Sequence, residues 1–155
     1  MRNTRRIRVV AADDDATVRA AVRDVLEADG RFEVVGLAGS GYELLALTNR
    51  HEPDLVLVDL RMEGGGVDGV RAVATLPGPR TLPAVVALSA QTAPSVVVET
   101  LRAGAVGYLA KGRSGSGLPD VLARIAAGDV VIAVPSASTV LAHLLITRTA
   151  ESAAD

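Results

Sequence analysis

Four places in the chain carry side chains able to handle a metal ion and a phosphoryl group: the run Asp13-Asp14-Asp15, then Asp59, Ser89 and Lys111. Carboxylates that converge within a few ångströms repel one another, and one pKa rises unless a cation neutralises them. Mg²⁺ resolves that, held by one or two carboxylates, a backbone carbonyl and water. A hydroxyl and an ammonium beside such a site suit the oxygens of a phosphoryl group. Each residue also has a plainer reading. Acids that open a helix suit its macrodipole, and Asp15 can cap it; Asp59 can cap a loop start, Ser89 can lead a helix and Lys111 can be a surface cation. The count of basic residues favours a specific job for Lys111, because the chain has 15 Arg and this single Lys. A slim ammonium meets a phosphoryl oxygen as a point charge, where a guanidinium fork needs more room.

The elements that must position these residues read as short apolar runs alternating with helical patterns, the signature of a parallel sheet with crossover helices. Five runs are expected as strands: Ile7–Ala12, Phe32–Ala38, Leu55–Asp59, Ala84–Ala90 and Ala105–Ala110. They are apolar on both faces, as strands covered on both sides are. In Thr17–Ala28, Val18, Val22, Val25 and Leu26 share one helical face, with Arg19, Arg23 and Glu27 opposite. Ser40 and Glu43 have capping-box form at the start of a helix through about residue 50. Further helices are expected over Val67–Leu76, Ala93–Ala103 and Leu118–Ala127, the last two stopped by Gly104 and Gly128. The order is therefore (βα)₅, an α/β domain over residues 1–128. Residues 129–155 form a short C-terminal extension: the apolar run Val130–Val134, a helix from Ser136 to about Ile146, and a tail at Ala150–Asp155 that reads as fraying or linker-like. In such a sheet ligands bind beyond the carboxyl ends of the strands, which is where the four chemical positions fall.

Composition narrows the function classes. At 155 residues with 49% hydrophobic content the chain can bury one real core. Its formal charge of −2 and 2% aromatic content lack the basic stripe and stacking rings of a nucleic-acid surface. Cysteine is absent, which removes disulfides and thiolate chemistry. No apolar stretch is long enough for a membrane span. The basic start, Met1 to Arg8, meets three acids before any signal-peptide core. A soluble, cytoplasmic protein is the expectation.

Rival motifs are weaker. Asp13-Asp14-Asp15-Ala16-Thr17 has the Asp-x-Asp-x-Thr form of haloacid-dehalogenase-type phosphatases, with Asp13 as nucleophile and Asp15 as general acid. That reading leaves Asp59 without a job and finds no late acidic pair after Lys111. A P-loop is absent, and Gly39-Ser40-Gly41 lacks the third glycine of a dinucleotide fingerprint. His51 and His143 are isolated and read as surface or packing residues.

Asp14, Asp59, Ser89 and Lys111 follow one another at intervals of 45, 30 and 22 residues. With these spacings the sequence resembles the receiver domain of two-component response regulators, over about residues 6–127. Local words agree: Arg8 to Asp14, Pro53 to Met62, and Ala103 to Lys111. The stretch from Gly128 to Leu145 is similar to the tail of NarL/FixJ-type receivers, which a DNA-binding helix-turn-helix usually follows. The resemblance implies a flavodoxin-like sheet of order 2-1-3-4-5. It implies Mg²⁺ bound by Asp13, Asp14, Asp59 and the backbone carbonyl of Arg61, with Asp59 as the phospho-acceptor. Ser89 and Lys111 would hold phosphoryl oxygens, and Ser89 and Tyr108 would be the switch pair. The implied partner is a sensor histidine kinase; the low charge and the apolar stretch from Val130 to Leu145 suggest a homodimer on activation, and composition argues against nucleic-acid or membrane contact by this segment. Such a protein is a regulator that catalyses only its own phosphorylation and dephosphorylation, not an enzyme. Two departures stand out: Glu63 replaces a common Pro, and Gly64 to Gly69 lengthens the loop by about two residues, adding backbone freedom. They motivate a rival reading, a pseudo-receiver that signals through protein contacts without phosphorylation.

Overall fold

The computed structural model describes residues 5–63, 66–76, 82–112 and 117–154, with residues 147–154 as backbone alone. Six strands, β1 (Ile7–Ala12), β2 (Phe32–Ala38), β3 (Leu55–Val58), β4 (Ala84–Ser89), β5 (Gly107–Ala110) and β6 (Val131–Ala133), form one sheet of order β2-β1-β3-β4-β5-β6. Every pairing is parallel. The five-strand order read from the sequence is present, and the apolar run after Gly128 adds a sixth strand against β5. Six helices alternate with the strands: α1 (Ala16–Ala28), α2 (Gly41–His51), α3 (Gly66–Ala74), α4 (Pro94–Arg102), α5 (Leu118–Ala126) and α6 (Ala137–Ala154).

Because side chains alternate along a strand, the apolar runs feed two faces at once. Val9 and Ala11 of β1 face α1 and α5 in a cluster with Leu26, Leu57, Leu88 and Leu122. Val10 and Ala12 face α2 and α3 with Leu44, Val58, Val70 and Val73. A third cluster joins Tyr108 and Val97 to Val134 and Val140, so that the C-terminal segment is packed onto α4 and β5.

Three local expectations differ from what is found. Val25 is 40% exposed; at 100° per residue it stands about 80° from the centre of the Val22–Leu26 stripe and reaches only the rim. The Ser40–Glu43 box is half formed: the Glu43 amide donates to Ser40 Oγ at 3.3 Å, but the Glu43 carboxylate accepts from the Gly39 amide. The tail expected at Ala150–Asp155 is helical through Ala154, since the stretch after Ile146 has no Gly or Pro to stop the helix. Gly104 does end α4, at φ +121°, and a Cβ there would lie 2.5 Å from that of Ala74. Of the glycine-rich loop, Gly64 and Gly65 lie outside the described residues.

Candidate functional site

Backbone register builds the site before any side chain is considered. Ala12 pairs with Val58, and just beyond the strand ends the Asp59 amide donates to the Ala12 carbonyl while the Asp13 amide donates to Ala38. Asp13 and Asp59 are thereby neighbours at the carboxyl edge of the sheet. One strand further, Ser89 pairs with Ala110, and the Lys111 amide donates to the Ser89 carbonyl at 2.9 Å.

The side chains converge accordingly. Carboxylate oxygens of Asp13, Asp14 and Asp59 lie within 4.8 Å of one another, with Asp13 and Asp59 buried and Asp14 exposed. Lys111 Nζ lies 2.9 Å from Asp13 Oδ2 and 3.4 Å from Asp59 Oδ2. Asp15 is not part of this cluster: its carboxylate accepts from the Thr17 amide at 2.8 Å and caps α1. The run of three acids thus divides into two that face Asp59 and one that serves the helix.

Burial pushes the Asp59 carboxyl above the usual carboxylate range; the Arg61 amide opposes that shift, the Asp13 charge adds to it, and Lys111 opposes it. Burial pulls the Lys111 ammonium down, but Asp13 and Asp59 outweigh it and leave its pKa raised. The pocket therefore has one ammonium shared by two buried carboxylates, with a third carboxylate at its mouth. Hard oxygen donors from three carboxylates at this spacing fit a divalent cation such as Mg²⁺. The Arg61 amide donates to Asp59 Oδ1 at 3.2 Å, so Arg61 belongs to the same short turn.

Ser89 is buried, and its Oγ accepts from the Gln91 amide at 3.1 Å. Tyr108 is fully buried and donates its hydroxyl to the Gln91 carbonyl. Ala90, next to Ser89, is exposed. Glu63 is exposed, and its carbonyl accepts from the Gly41 amide at 3.0 Å, tying the β3–α3 loop to α2. His51 and His143 do not belong to the acid cluster.

Sequence reasoning missed two contributors. Gln91 supplies both the amide that meets Ser89 and the carbonyl that meets Tyr108. Arg19 falls on the polar face of α1 in the helical pattern, yet it is half-buried and donates to the Asp13 carbonyl at 2.7 Å. Helical side chains lean toward the N-terminus, so a long residue in the first turn can reach back over the preceding loop; that rule is the signal that could have found it.

The response regulator receiver domain model matches residues 9–123. The chain belongs to the response regulator receiver domain family of two-component systems. It is 33% identical over 128 residues to the probable transcriptional regulatory protein NarL of Mycobacterium tuberculosis, covering 83% of this chain and 58% of that protein. To the uncharacterized transcriptional regulatory protein YxjL of Bacillus subtilis it is 32% identical over 143 residues, covering 91% of this chain and 64% of the relative. The chain thus spans less than two thirds of the length of these curated relatives. Among solved structures, the signal receiver domain of the putative response regulator NarL from M. tuberculosis superposes with a TM-score of 0.73 at 33% identity, over 79% of this chain and 98% of that one. This receiver domain has, among its described residues, no helix long and apolar enough to cross a membrane.

Proposed function

We propose that this receiver domain is a phospho-accepting switch, taking a phosphoryl group from a sensor histidine kinase onto Asp59. The observation that carries the reading is the placement of Asp59: a buried carboxylate, 3% exposed, at the end of β3, with Lys111 Nζ at 3.4 Å. A carboxylate oxygen of Asp59 would attack phosphorus in line, forming the O–P bond of an aspartyl phosphate. The N–P bond of the donor phosphohistidine breaks, and its electron pair returns to the imidazole. Mg²⁺, when held by Asp13, Asp14, Asp59 and the Arg61 carbonyl, supplies charge neutralisation at the phosphoryl oxygens.

This chain's own residues do the rest. Lys111 is already charged and aimed at Asp59, so it can pair with a phosphoryl oxygen. Ser89 would turn its hydroxyl toward another. The phosphoryl group adds nearly two negative charges, and drawing Ser89 inward would release the Gln91 amide, whose own carbonyl accepts from Tyr108. Moving a two-state surface from 1:99 to 99:1 needs about 5.5 kcal/mol of differential interaction, a sum that several charge-assisted hydrogen bonds reach. The protein is then a regulator that acts on itself, and its output is passed to a partner or a second copy. The phosphatase reading is less well supported, because Asp15, its general acid, is engaged as the cap of α1.

The test is incubation with acetyl phosphate and Mg²⁺. One acid-stable, hydroxylamine-labile phosphoryl group should appear and be lost in Asp59→Ala. Labelling that survives Asp59→Ala but vanishes in Asp13→Ala would point to the phosphatase chemistry, and no labelling at all to a pseudo-receiver.

A further inference from the structure

Asp13 has every polar atom engaged. Its amide donates to the Ala38 carbonyl at 3.0 Å, its Oδ1 accepts from the Asp15 amide at 2.9 Å, and its Oδ2 accepts from Lys111 at 2.9 Å. The remaining atom, the backbone carbonyl, accepts from Arg19 Nη1 at 2.7 Å. That carbonyl belongs to the peptide plane joining Asp13 to Asp14, so the guanidinium holds the unit from which both carboxylates project. Gly39 leaves room for the same group: a Cβ added there would lie 3.1 Å from Nη1 and 3.6 Å from Cζ. Arg19 therefore ties α1 to the acid peptide in the space that Gly39 leaves, and it lines one small cavity together with Asp13 and Asp59.

We propose that Arg19 is a positioning residue that makes the acid cluster selective for Mg²⁺ over Ca²⁺; this rests on the reading of that cluster as a divalent-cation site. Mg²⁺ demands near-ideal octahedral geometry with short bonds, whereas Ca²⁺ accepts looser and more numerous oxygen ligands. A peptide plane free to rock spreads the Asp13 and Asp14 carboxylates over many directions, which penalises the smaller ion more. Gly39 is the complementary half of the device, since its missing side chain leaves room for the guanidinium. Removing a positive charge near the acids strengthens both divalent ions nearly equally. The Mg²⁺-to-Ca²⁺ affinity ratio therefore isolates geometry from charge.

The experiment is calorimetric titration of the full chain with MgCl₂ and with CaCl₂, for the wild type, Arg19→Met, Arg19→Lys and Gly39→Ala, with metal-free thermal unfolding alongside. Arg19→Met should weaken Mg²⁺ binding about tenfold, the scale of losing a partner that orients a metal ligand, while Ca²⁺ binding changes much less. Gly39→Ala, which keeps the cation and only displaces it by a few tenths of an ångström, should lower the ratio in the same direction by a smaller factor. Arg19→Lys should fall between Arg19→Met and the wild type. If Arg19→Met does not fold, Gly39→Ala decides. A wild type that binds Mg²⁺, with an unchanged ratio in the folded variants, overturns the positioning role and leaves the Mg²⁺ reading standing. A wild type that binds no Mg²⁺ overturns both.

Discussion

Lys111 Nζ lies 2.9 Å from Oδ2 of Asp13, a residue 98 positions away in the sequence. The pair ties the end of β5 to the end of β1 across the mouth of the site, and the same ammonium reaches Asp59 at 3.4 Å. One cation thus does for two buried carboxylates, before any metal arrives, what neither could obtain from water.

Lys111 should therefore acylate slowly, because the carboxylates favour its charged form. A bound beryllofluoride group adds an anion and should slow it further. The chain's α-amino group is the other primary amine and serves as internal standard. The check is a time course of acylation at mildly alkaline pH, read peptide by peptide in Mg²⁺. An unchanged ratio while the mimic is demonstrably bound would remove Lys111 from the phosphoryl site.

Asp59→Asn should stabilise the metal-free protein, because burial and the neighbouring Asp13 charge disfavour the wild-type carboxylate. The wild-type carboxylate is held in a buried site beside Asp13, and the amide keeps the shape without the charge. Urea unfolding in EDTA measures it. A variant less stable than the wild type would show that the pairing with Lys111 outweighs burial.

Tyr108 gives the pH prediction. Burial raises its phenol above the ordinary value of 10.0. The folded state then disfavours the phenolate, so this contribution to stability is complete below pH 10.0 and is lost as pH rises through the folded value. Tyr108→Phe should be less stable at neutral pH by about 1 kcal/mol, from the lost bond to the Gln91 carbonyl. It should also lose less stability than the wild type as pH rises above 10.0. Urea midpoints at stepped pH supply both numbers.

Val140 tests the docking of α6. It is fully buried in the cluster that holds Tyr108 and Val97, so Val140→Ala should cost about 2 kcal/mol in lost transfer energy and residual cavity. Leu145, 65% exposed on the same helix, should tolerate alanine within about 0.5 kcal/mol. Equal effects in thermal unfolding would mean that α6 is not seated on α4 in solution.

Leu141, Leu145 and Ile146 leave an apolar stretch of α6 exposed, which motivates association on activation. Sedimentation with and without beryllofluoride should show a shift toward dimer. Identical profiles across a wide concentration range, with binding of the mimic verified, would end that idea.

The alternation of apolar runs and helical patterns determined a parallel sheet of five βα units, and the positions of Asp13, Asp59, Ser89 and Lys111 at the ends of those runs determined which side chains could share a site, while the strand order came from the resemblance to receiver domains. Both are one-dimensional signals: a parallel strand buried on two faces must be apolar throughout, and a residue one step past its end must lie at the sheet edge. What the pattern could not contain is the direction each side chain takes once it arrives there. Asp15 turns to cap α1 while Asp13 and Asp14 face Asp59, although all three are the same residue in one run; the difference lies in the local backbone after β1. Arg19 folds back onto the Asp13 carbonyl because the loop after β2, closed by Gly39, leaves it space. The run after Gly128 became a sixth strand because the edge of β5 offered it unpaired backbone groups. The last two were decided by contacts between segments distant in the chain, where only packing in three dimensions chooses among partners the sequence leaves equal.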